Sequence, residues 1–250
     1  MTTLVVGASG ATGRLLVEQL LERGETVRVI VRPTAQLPEH LVDHANLSIV
    51  RAAVLELSDE ELARQVAGCR AIASCLGHTL SWRGVYGSPR RLVTEAARRL
   101  CRAATGSRSE ASAATAESPP TKFVLMNSAG VRNLAAQEQV ELAQRCVIGL
   151  LRMVLPPHLD NEHAADYLRQ QIGQHDTCIE WAVVRPDNLI DEEQVSEYEV
   201  HPSPIRSAIF NPGKTSRVNV AHFMAQLITD EETWRAWQGQ MPVIYNRESK

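Results

Sequence analysis

A glycine-rich segment near the amino terminus constrains the fold of this chain more than any other feature. Gly7, Gly10 and Gly13 recur within the run Gly-Ala-Ser-Gly-Ala-Thr-Gly. A short apolar run over residues 4–6 precedes them, and a helical pattern of leucines follows. Glycine is needed where a backbone turns with positive φ or where two elements pack closely. The segment therefore predicts a strand, a tight turn and a helix.

The residues after this helix predict that strands and helices alternate along the chain. Gly24 is placed to end the first helix, and the β-branched run 26–31 predicts a second strand. Further strands are predicted at 47–50, 71–76, 123–126 and 179–184, and helices at 89–104, 162–172 and 220–228. Such alternation is typical of an α/β fold with a doubly wound parallel sheet. We expect residues 1–250 to form a single Rossmann domain.

Three local patterns refine this prediction. Ser58 followed by Glu61 predicts a capping box at the start of a helix. Residues 105–120 are rich in Ser, Ala and Thr, end in Pro-Pro and lack large apolar side chains, which predicts a flexible surface insertion. Residues 190–250 contain short strands and proline-rich turns, and we expect them to form small elements on the substrate side.

The glycine segment also predicts a ligand. In a strand-turn-helix unit, Gly7 would permit the tight turn, Gly10 the close approach of a pyrophosphate, and Gly13 the packing of helix on strand. Amide groups at the start of the helix would face the anion. The sequence therefore predicts a dinucleotide site with these contact residues: Gly7, Ser9, Gly10, Ala11, Thr12 and Gly13.

The residue that follows the second strand favours one class of dinucleotide. A carboxylate at this place would accept a hydrogen bond from the ribose 2′-hydroxyl of NAD(H). The chain instead has Arg32 followed by Pro33. A guanidinium can bind a 2′-phosphate, so NADP(H) is favoured; the alternative is that Arg32 is a solvated loop residue.

Composition excludes several other classes of function. The net charge of −3 and the pI near 6.3 argue against a nucleic-acid partner. No apolar stretch approaches the roughly 20 residues that span a bilayer, and no basic leader is visible, so we expect a cytoplasmic protein without a membrane partner. His40 and His44 have the spacing of two metal ligands, but no third ligand accompanies them and no metal site is predicted.

At these motifs the chain resembles the atypical short-chain dehydrogenase/reductase superfamily. It is most similar to the NmrA-like, NAD(P)H-binding group that includes the flavin reductase/biliverdin reductase B type. The resemblance rests on the glycine run at 7–13, Val-Arg-Val-Ile-Val-Arg at 27–32, Ser-Cys-Leu-Gly-His at 74–78, Met-Asn-Ser-Ala-Gly at 126–130, Trp-Ala-Val-Val-Arg-Pro-Asp-Asn-Leu at 181–189 and Ser-Arg-Val-Asn-Val-Ala at 216–221. Residues 132–157 match the group poorly.

The resemblance implies roles for residues at the ends of later strands. It implies that Ser74, Leu76 and Gly77 pass along the cofactor, and that Ser128 lies beside the nicotinamide with Asn127 also at the cofactor. It further implies that Pro186 begins a segment closing over the nicotinamide end.

The proton donor that many members of this superfamily use is missing. They carry Tyr-x-x-x-Lys on a helix, where the ammonium lowers the pKa of the tyrosine. The lysines here are at 122, 214 and 250, and none follows a tyrosine by four. Proton delivery would then fall to water or to a weakly placed side chain, for which the candidates are Ser128, Asp160, His163 and Tyr167.

Two functions fit this sequence. The first is an oxidoreductase that transfers hydride from NADPH to a flavin, a quinone or a similar small acceptor, with Ser128 as the catalytic residue. The alternative is a non-catalytic, NmrA-like sensor that binds NADP(H) and reports to a protein partner. A nucleotide-sugar epimerase or dehydratase is disfavoured because those enzymes also use the Tyr/Lys pair. We expect a monomer or a homodimer.

Overall fold

The computed structural model describes residues 1–78, 89–112, 119–133, 138 and 156–247. The strands are β1 (Thr2–Val6), β2 (Thr26–Val31), β3 (Leu47–Arg51), β4 (Ala71–Ser74), β5 (Thr121–Met126), β6 (Ile179–Pro186), β7 (Asn188–Ile190), β8 (Tyr198–His201), β9 (Lys214–Ser216) and β10 (Val243–Asn246). The helices are α1 (Ala11–Glu22), α2 (Glu39–Val42), α3 (Asp59–Val66), α4 (Leu92–Ser112), α5 (Pro156–Tyr167) with a π-helical continuation (Leu168–Ile172), α6 (Arg217–Thr229) and α7 (Glu231–Trp237). Within these ranges, no helix is both long and apolar enough to cross a membrane.

Eight strands form one sheet in the order β3-β2-β1-β4-β5-β6-β10-β8. Neighbouring strands pair in parallel, except that β8 runs antiparallel to β10 at the edge. Strands β2 and β3 are added on one side of β1, and β4, β5 and β6 on the other. The order of the strands therefore reverses at β1, which pairs with both β2 and β4. The doubly wound, mostly parallel α/β fold is confirmed. Ligands of such sheets bind outside the carboxyl ends of the strands at this reversal point.

Helices cover both faces because successive side chains of each strand point to opposite sides. In β1, Leu4 and Val6 pack in the core beneath α3, α4 and α5. Val5 packs on the other face, in the core formed with α1 and α6. The sheet is therefore buried between two helical layers, and its carboxyl edge is the part left open for a ligand.

The predicted helix boundaries hold where side chains mark them. The capping box of α3 is present, since Ser58 Oγ accepts from Glu61 N at 3.1 Å and the Glu61 carboxylate accepts from Ser58 N at 2.7 Å. Gly24, which follows α1, has φ of 77° and donates its N–H to Leu21 O at 2.9 Å. Both local predictions are confirmed.

Helix α4 is longer than the sequence predicts. The pattern predicts a helix that ends near Ala104, but α4 continues to Ser112. Ala103 and Ala104 are buried in the core, and Ser107 Oγ donates to Ala103 O at 2.8 Å. Residues 105–112 are therefore helical where the composition predicts a flexible insertion, because a helix already packed on the core extends readily through small residues. Residues 113–118 of that insertion lie outside the described part of the chain.

The C-terminal region contributes more to the main fold than the sequence predicts. Strand β10 pairs with β6, and β8 pairs with β10, so both extend the main sheet. Helix α6 is buried on nearly all sides and packs against α1, as expected for a helix with apolar residues all around. A substrate-side role for residues 190–250, which include β9 of the separate β7-β9 sheet, stays a prediction.

Candidate functional site

The glycine-rich turn lies at the carboxyl end of β1 and packs against the loop after β4. Gly7 has φ of 78°, and a β-carbon there would lie 2.5 Å from the carbonyl carbon of Cys75. A β-carbon on Gly13 would collide with the carbonyl oxygen of Gly7. No other residue fits at these two positions, because the clashing atoms belong to the backbone. Packing therefore accounts for Gly7 and Gly13.

The open face of this turn is suited to an anion. Ser9, Gly10 and Ala11 are exposed, whereas the side chain of Thr12 is buried. Helix α1, which the structure describes in full, begins with no side-chain cap and no acidic residue in its first turn. Its first amide groups lack intrahelical partners and carry the positive end of the helix dipole. A pyrophosphate would satisfy those groups, so the turn fits the predicted cofactor.

Two arginines stand at the corner where β2 and β3 end. Arg32 is exposed and directly follows β2, and Arg51 pairs in register with Val31. Arg51 Nη1 donates to Ala35 O at 3.0 Å, while Ala35 N donates to Arg32 O at 2.9 Å. Arg51 thus holds the turn that positions Arg32. Sequence analysis missed Arg51, although an arginine at the end of the third predicted strand was a visible signal.

The end of β4 places one polar group without a hydrogen-bond partner among the described residues at the carboxyl edge of the sheet. Ser74 is fully buried, and its hydroxyl oxygen has no hydrogen-bond partner in the described part of the chain. An unpaired buried hydroxyl is costly, which makes Ser74 a group that a ligand atom would satisfy. Leu76 is half-buried and Gly77 is exposed, so these two residues face the open side of the loop.

The end of β5 places Ser128 next to β6. Ala129 N donates to Pro186 O at 2.8 Å, which extends the β5-β6 pairing past the predicted site residue. Ser128 Oγ accepts from Gly130 N at 3.2 Å, and its own proton is left to be donated elsewhere. The structure therefore places the backbone next to Ser128 beside Pro186, and their roles at the nicotinamide stay predictions.

The side chain of Asn127 is used within the protein. Its Nδ2 donates to Asn161 O at 2.9 Å, and its Oδ1 accepts from Ser128 N at 2.9 Å. Asn127 therefore ties the end of β5 to helix α5 and fixes the backbone before Ser128. A direct contact between Asn127 and a cofactor stays a prediction.

A buried ion pair joins the end of β6 to Glu138. Arg185 Nη2 lies 2.7 Å from Glu138 Oε1, and both side chains are almost completely buried. Arg185 also donates from Nε to Met241 O at 2.7 Å and from Nη1 to Val131 O at 2.8 Å. Because the N–H groups of this guanidinium are used within the protein, none remains for a substrate anion. Arg185 therefore has a structural role and holds these segments together.

Asp160 is engaged in structure, which removes one candidate proton donor. Its carboxylate accepts from His78 Nε2 at 2.8 Å, from Thr94 Oγ1 at 2.6 Å and from Val93 N at 2.8 Å. Burial raises the pKa of Asp160, but these hydrogen bonds outweigh it, so the pKa lies below its usual value. A carboxylate that stays ionised is unsuited to donate a proton.

Tyr167 is also a poor candidate for the acid. It lies at the end of α5 and packs under Arg98, whose guanidinium carbon is 5.6 Å from the ring centroid. Burial raises the pKa of Tyr167 to about 12, and no lysine among the described residues lowers it. A neutral tyrosine in this position is a packing residue.

His158 lies at the other end of α5, and sequence analysis missed it. A β-carbon placed on Gly130 would lie 3.5 Å from His158 Cε1 and 3.6 Å from Ser128 Oγ, so both side chains border the same point. His158 Nε2 is 3.5 Å from Glu162 Oε1. The signal was a His-x-x-x-Glu pair on the helix before β6, at the spacing of the absent Tyr/Lys pair.

Comparison with known families decides the assignment. The sequence model described as NAD(P)H-binding matches residues 7–231, from the glycine turn to α7. The chain belongs to the NAD(P)H-binding family. This membership agrees with the resemblance found in the sequence and with the dinucleotide turn of β1 and α1. A search of curated proteins found no match.

Solved structures share the fold of this NAD(P)H-binding protein. A protein assigned as an NADH-flavin reductase from Streptococcus pneumoniae is 17% identical, with a TM-score of 0.64 and coverage of 99% of this chain and 100% of that one. An anaerobillin reductase from Escherichia coli is 15% identical, with a TM-score of 0.67 and coverage of 100% and 99%. A short-chain dehydrogenase/reductase from Veillonella parvula in complex with NADP is 12% identical, with a TM-score of 0.68 and coverage of 98% and 94%. At these identities the similarity shows the oxidoreductase-like fold alone.

Proposed function

We propose that this protein is an NADPH-dependent reductase that transfers hydride to a flavin, a quinone or a similar small acceptor. The observation that carries the proposal is the position of Ser128, at the carboxyl end of β5, on the same sheet edge as the glycine turn of β1. Groups at this edge face the crevice of a doubly wound sheet. The reductase names of the Streptococcus and Escherichia structures support the acceptor class.

The cofactor would be held along the carboxyl ends of five strands, β1, β2, β4, β5 and β6. The glycine turn and the first amides of α1 would bind the pyrophosphate, and Arg32, positioned by Arg51, would bind the 2′-phosphate of NADP(H). Ser74, Leu76 and Gly77 would line the cofactor, with Ser128 and Pro186 at its nicotinamide end. When bound, the reduced nicotinamide supplies a hydrogen with two electrons as hydride.

The residues of the site also narrow the class of acceptor. A ketone that develops alkoxide character needs a strong acid, and Tyr167 and Asp160 are both unsuited to that role. Flavins and quinones delocalise the negative charge that hydride leaves, so a proton from a weakly placed side chain or from water suffices. The chain's own residues therefore favour a flat, conjugated acceptor over an aldehyde or ketone.

The direct test is NADPH oxidation, followed by the loss of nicotinamide absorbance, with a flavin, a benzoquinone and an aldehyde as acceptors. We expect turnover with the flavin or the quinone and little with the aldehyde. Tight NADPH binding without turnover on any acceptor would contradict the reductase proposal. It would instead favour the sensor of NADP(H), which shares this cofactor site and needs a protein partner.

Ser128→Ala and Tyr167→Phe form a matched pair for the same assay. Ser128→Ala removes one hydrogen bond at the reacting atoms, worth about 1.4 kcal/mol, so we expect kcat to fall about tenfold with NADPH affinity retained. Tyr167→Phe should change kcat by less than about threefold, because a buried neutral phenol takes no part in proton transfer. A large effect of Tyr167→Phe would contradict the assignment of the site.

A further inference from the structure

We propose that His158 donates the proton that accompanies hydride transfer, and that Glu162 orients its imidazole. This inference rests on the proposed reductase function and names the acid that function lacks. It follows from three observations on α5 and the loop after β5: the position of His158 beside Ser128, the state of its ring nitrogens, and the engagement of the alternative groups.

The first observation is the shared position of His158 and Ser128. Gly130 lies between them, and a β-carbon on this glycine would be in ordinary van der Waals contact with both, at 3.5 Å from His158 Cε1 and 3.6 Å from Ser128 Oγ. The bare α-carbon of Gly130 leaves this space open. A hydroxyl and an imidazole therefore border one small volume at the carboxyl end of β5, where the nicotinamide end of the cofactor is expected.

The second observation is the arrangement of the imidazole. Nε2 is buried without a hydrogen-bond partner among the described residues and faces Glu162, with 3.5 Å between Nε2 and Oε1. Cε1 and Nδ1 face Gly130, since a β-carbon there would lie 3.5 Å from Cε1 and 3.9 Å from Nδ1. One nitrogen thus turns to a carboxylate and the other to the site. A proton carried on Nδ1 would therefore be the one that lies toward an acceptor in the site.

The third observation is that two other candidate acids of α5, Asp160 and Tyr167, are engaged elsewhere. Asp160 caps α4 through Val93 N and Thr94 N, at 2.8 and 3.0 Å, and also accepts from His78. Tyr167 lies at the far end of the helix under Arg98. Of these three side chains on α5, His158 is the one that borders the same point as Ser128.

The chemical step balances without a further reactant. The acceptor would receive one hydride, a proton with two electrons, from the reduced nicotinamide, and one proton from His158. The Nδ1–H bond breaks as that proton binds the reduced acceptor, leaving a neutral imidazole that solvent reprotonates. One NADPH, one proton and one acceptor are consumed, and Ser128 can hydrogen-bond the acceptor atom that receives the proton.

The test compares histidine variants of the full chain with benzoquinone as the acceptor. We expect His158→Gln to lower kcat by about 100-fold, within the range for loss of a general acid, with NADPH affinity within about twofold of the wild type. Glu162→Gln should give a smaller loss. The control is His175→Gln, which removes an exposed imidazole from the loop before β6 and should leave kcat unchanged.

Two further readouts separate proton donation from a structural role. Added imidazole should restore part of the lost rate in His158→Ala, which a folding defect would not allow. In the wild type, NADP⁺ should shift the ring nitrogen resonances of His158 in ¹⁵N NMR spectra and leave those of His175 in place. Wild-type turnover in His158→Gln, or unshifted His158 resonances, would overturn the inference. If the wild type oxidises NADPH with none of the acceptors tested, the proposed function is overturned, and the assignment of the proton donor falls with it.

Discussion

At the scale of single residues, Asp160 links three parts of the molecule. It lies on α5, accepts two backbone N–H groups and a hydroxyl at the start of α4, and accepts from His78 in the loop after β4. Its partners are far from it in the sequence, so the sequence alone indicates only a polar residue near a helix start. The carboxylate serves as a helix cap supplied from another helix.

Replacing Asp160 should expose this role as a loss of stability. We expect Asp160→Asn to lower the free energy of unfolding by about 2 to 3 kcal/mol, since hydrogen bonds to a buried charged acceptor are lost. Urea unfolding measures this. Asp191→Asn is the control, because Asp191 is 84% exposed in its pair with Arg217 and should cost less than about 1 kcal/mol.

The effect of Asp160 should also depend on pH. The hydrogen bonds hold its pKa in the folded protein below the ordinary value of 3.8, so the unfolded chain binds the proton first as pH falls. The stabilisation is therefore full above pH 3.8 and is lost as pH falls through the folded pKa. The free energies of unfolding of the wild type and of Asp160→Asn, measured with urea, should converge as the pH falls into the acid range. A difference between them that stays constant there would contradict this account.

At the scale of elements, α4 shows where composition misleads. Gly106 lies inside the helix, is exposed, and has nothing within 4 Å of the place where a β-carbon would stand. Glycine and small polar residues suggest a loop when the residues packed before them in the helix are not considered. In the structure, the packed alanines before them anchor the helix and allow it to continue.

Gly106→Ala tests the length of α4. We expect it to raise the free energy of unfolding by about 0.5 to 1 kcal/mol, because alanine restricts the unfolded chain and fits an exposed helix position. Thermal or urea unfolding decides the sign. Gly13→Ala is the contrasting variant and should destabilise strongly, since its β-carbon collides with the Gly7 carbonyl oxygen. No gain from Gly106→Ala would contradict a helix through residues 105–112.

The strands differ in how well the sequence predicts them. β1 and β2 stand out because apolar or β-branched runs border glycines, and both are predicted within a few residues. β8 reads Tyr-Glu-Val-His and gains its strand character from pairing with β10. Short polar strands of this kind depend on their partners more than on their own propensity, so sequence reasoning did not locate them individually.

At the scale of the whole molecule, the order of the strands assembles the candidate site. The glycine turn, Arg32 and Ser128 were predictable because each follows a strand that the sequence marks. Arg51 and His158 also carry signals in the sequence, but sequence analysis missed them because their proximity to those residues arises from strand pairing and from the packing of α5. The chemistry of the site therefore depends on contacts between elements, whereas its location follows from local patterns.

The central claim is that this sheet edge binds the phosphorylated cofactor, and calorimetric titration with NADPH and NADH tests it most directly. We expect tighter binding of NADPH, and we expect Arg32→Ala to cost about 1.5 to 3 kcal/mol of NADPH binding while NADH binding is unchanged. The control is Arg247→Ala, which removes an exposed arginine paired with Glu197 and Glu199. This variant should bind NADPH and NADH as tightly as the wild type does. Equal affinities of the wild type for NADPH and NADH, or unchanged NADPH binding in Arg32→Ala, would contradict the account.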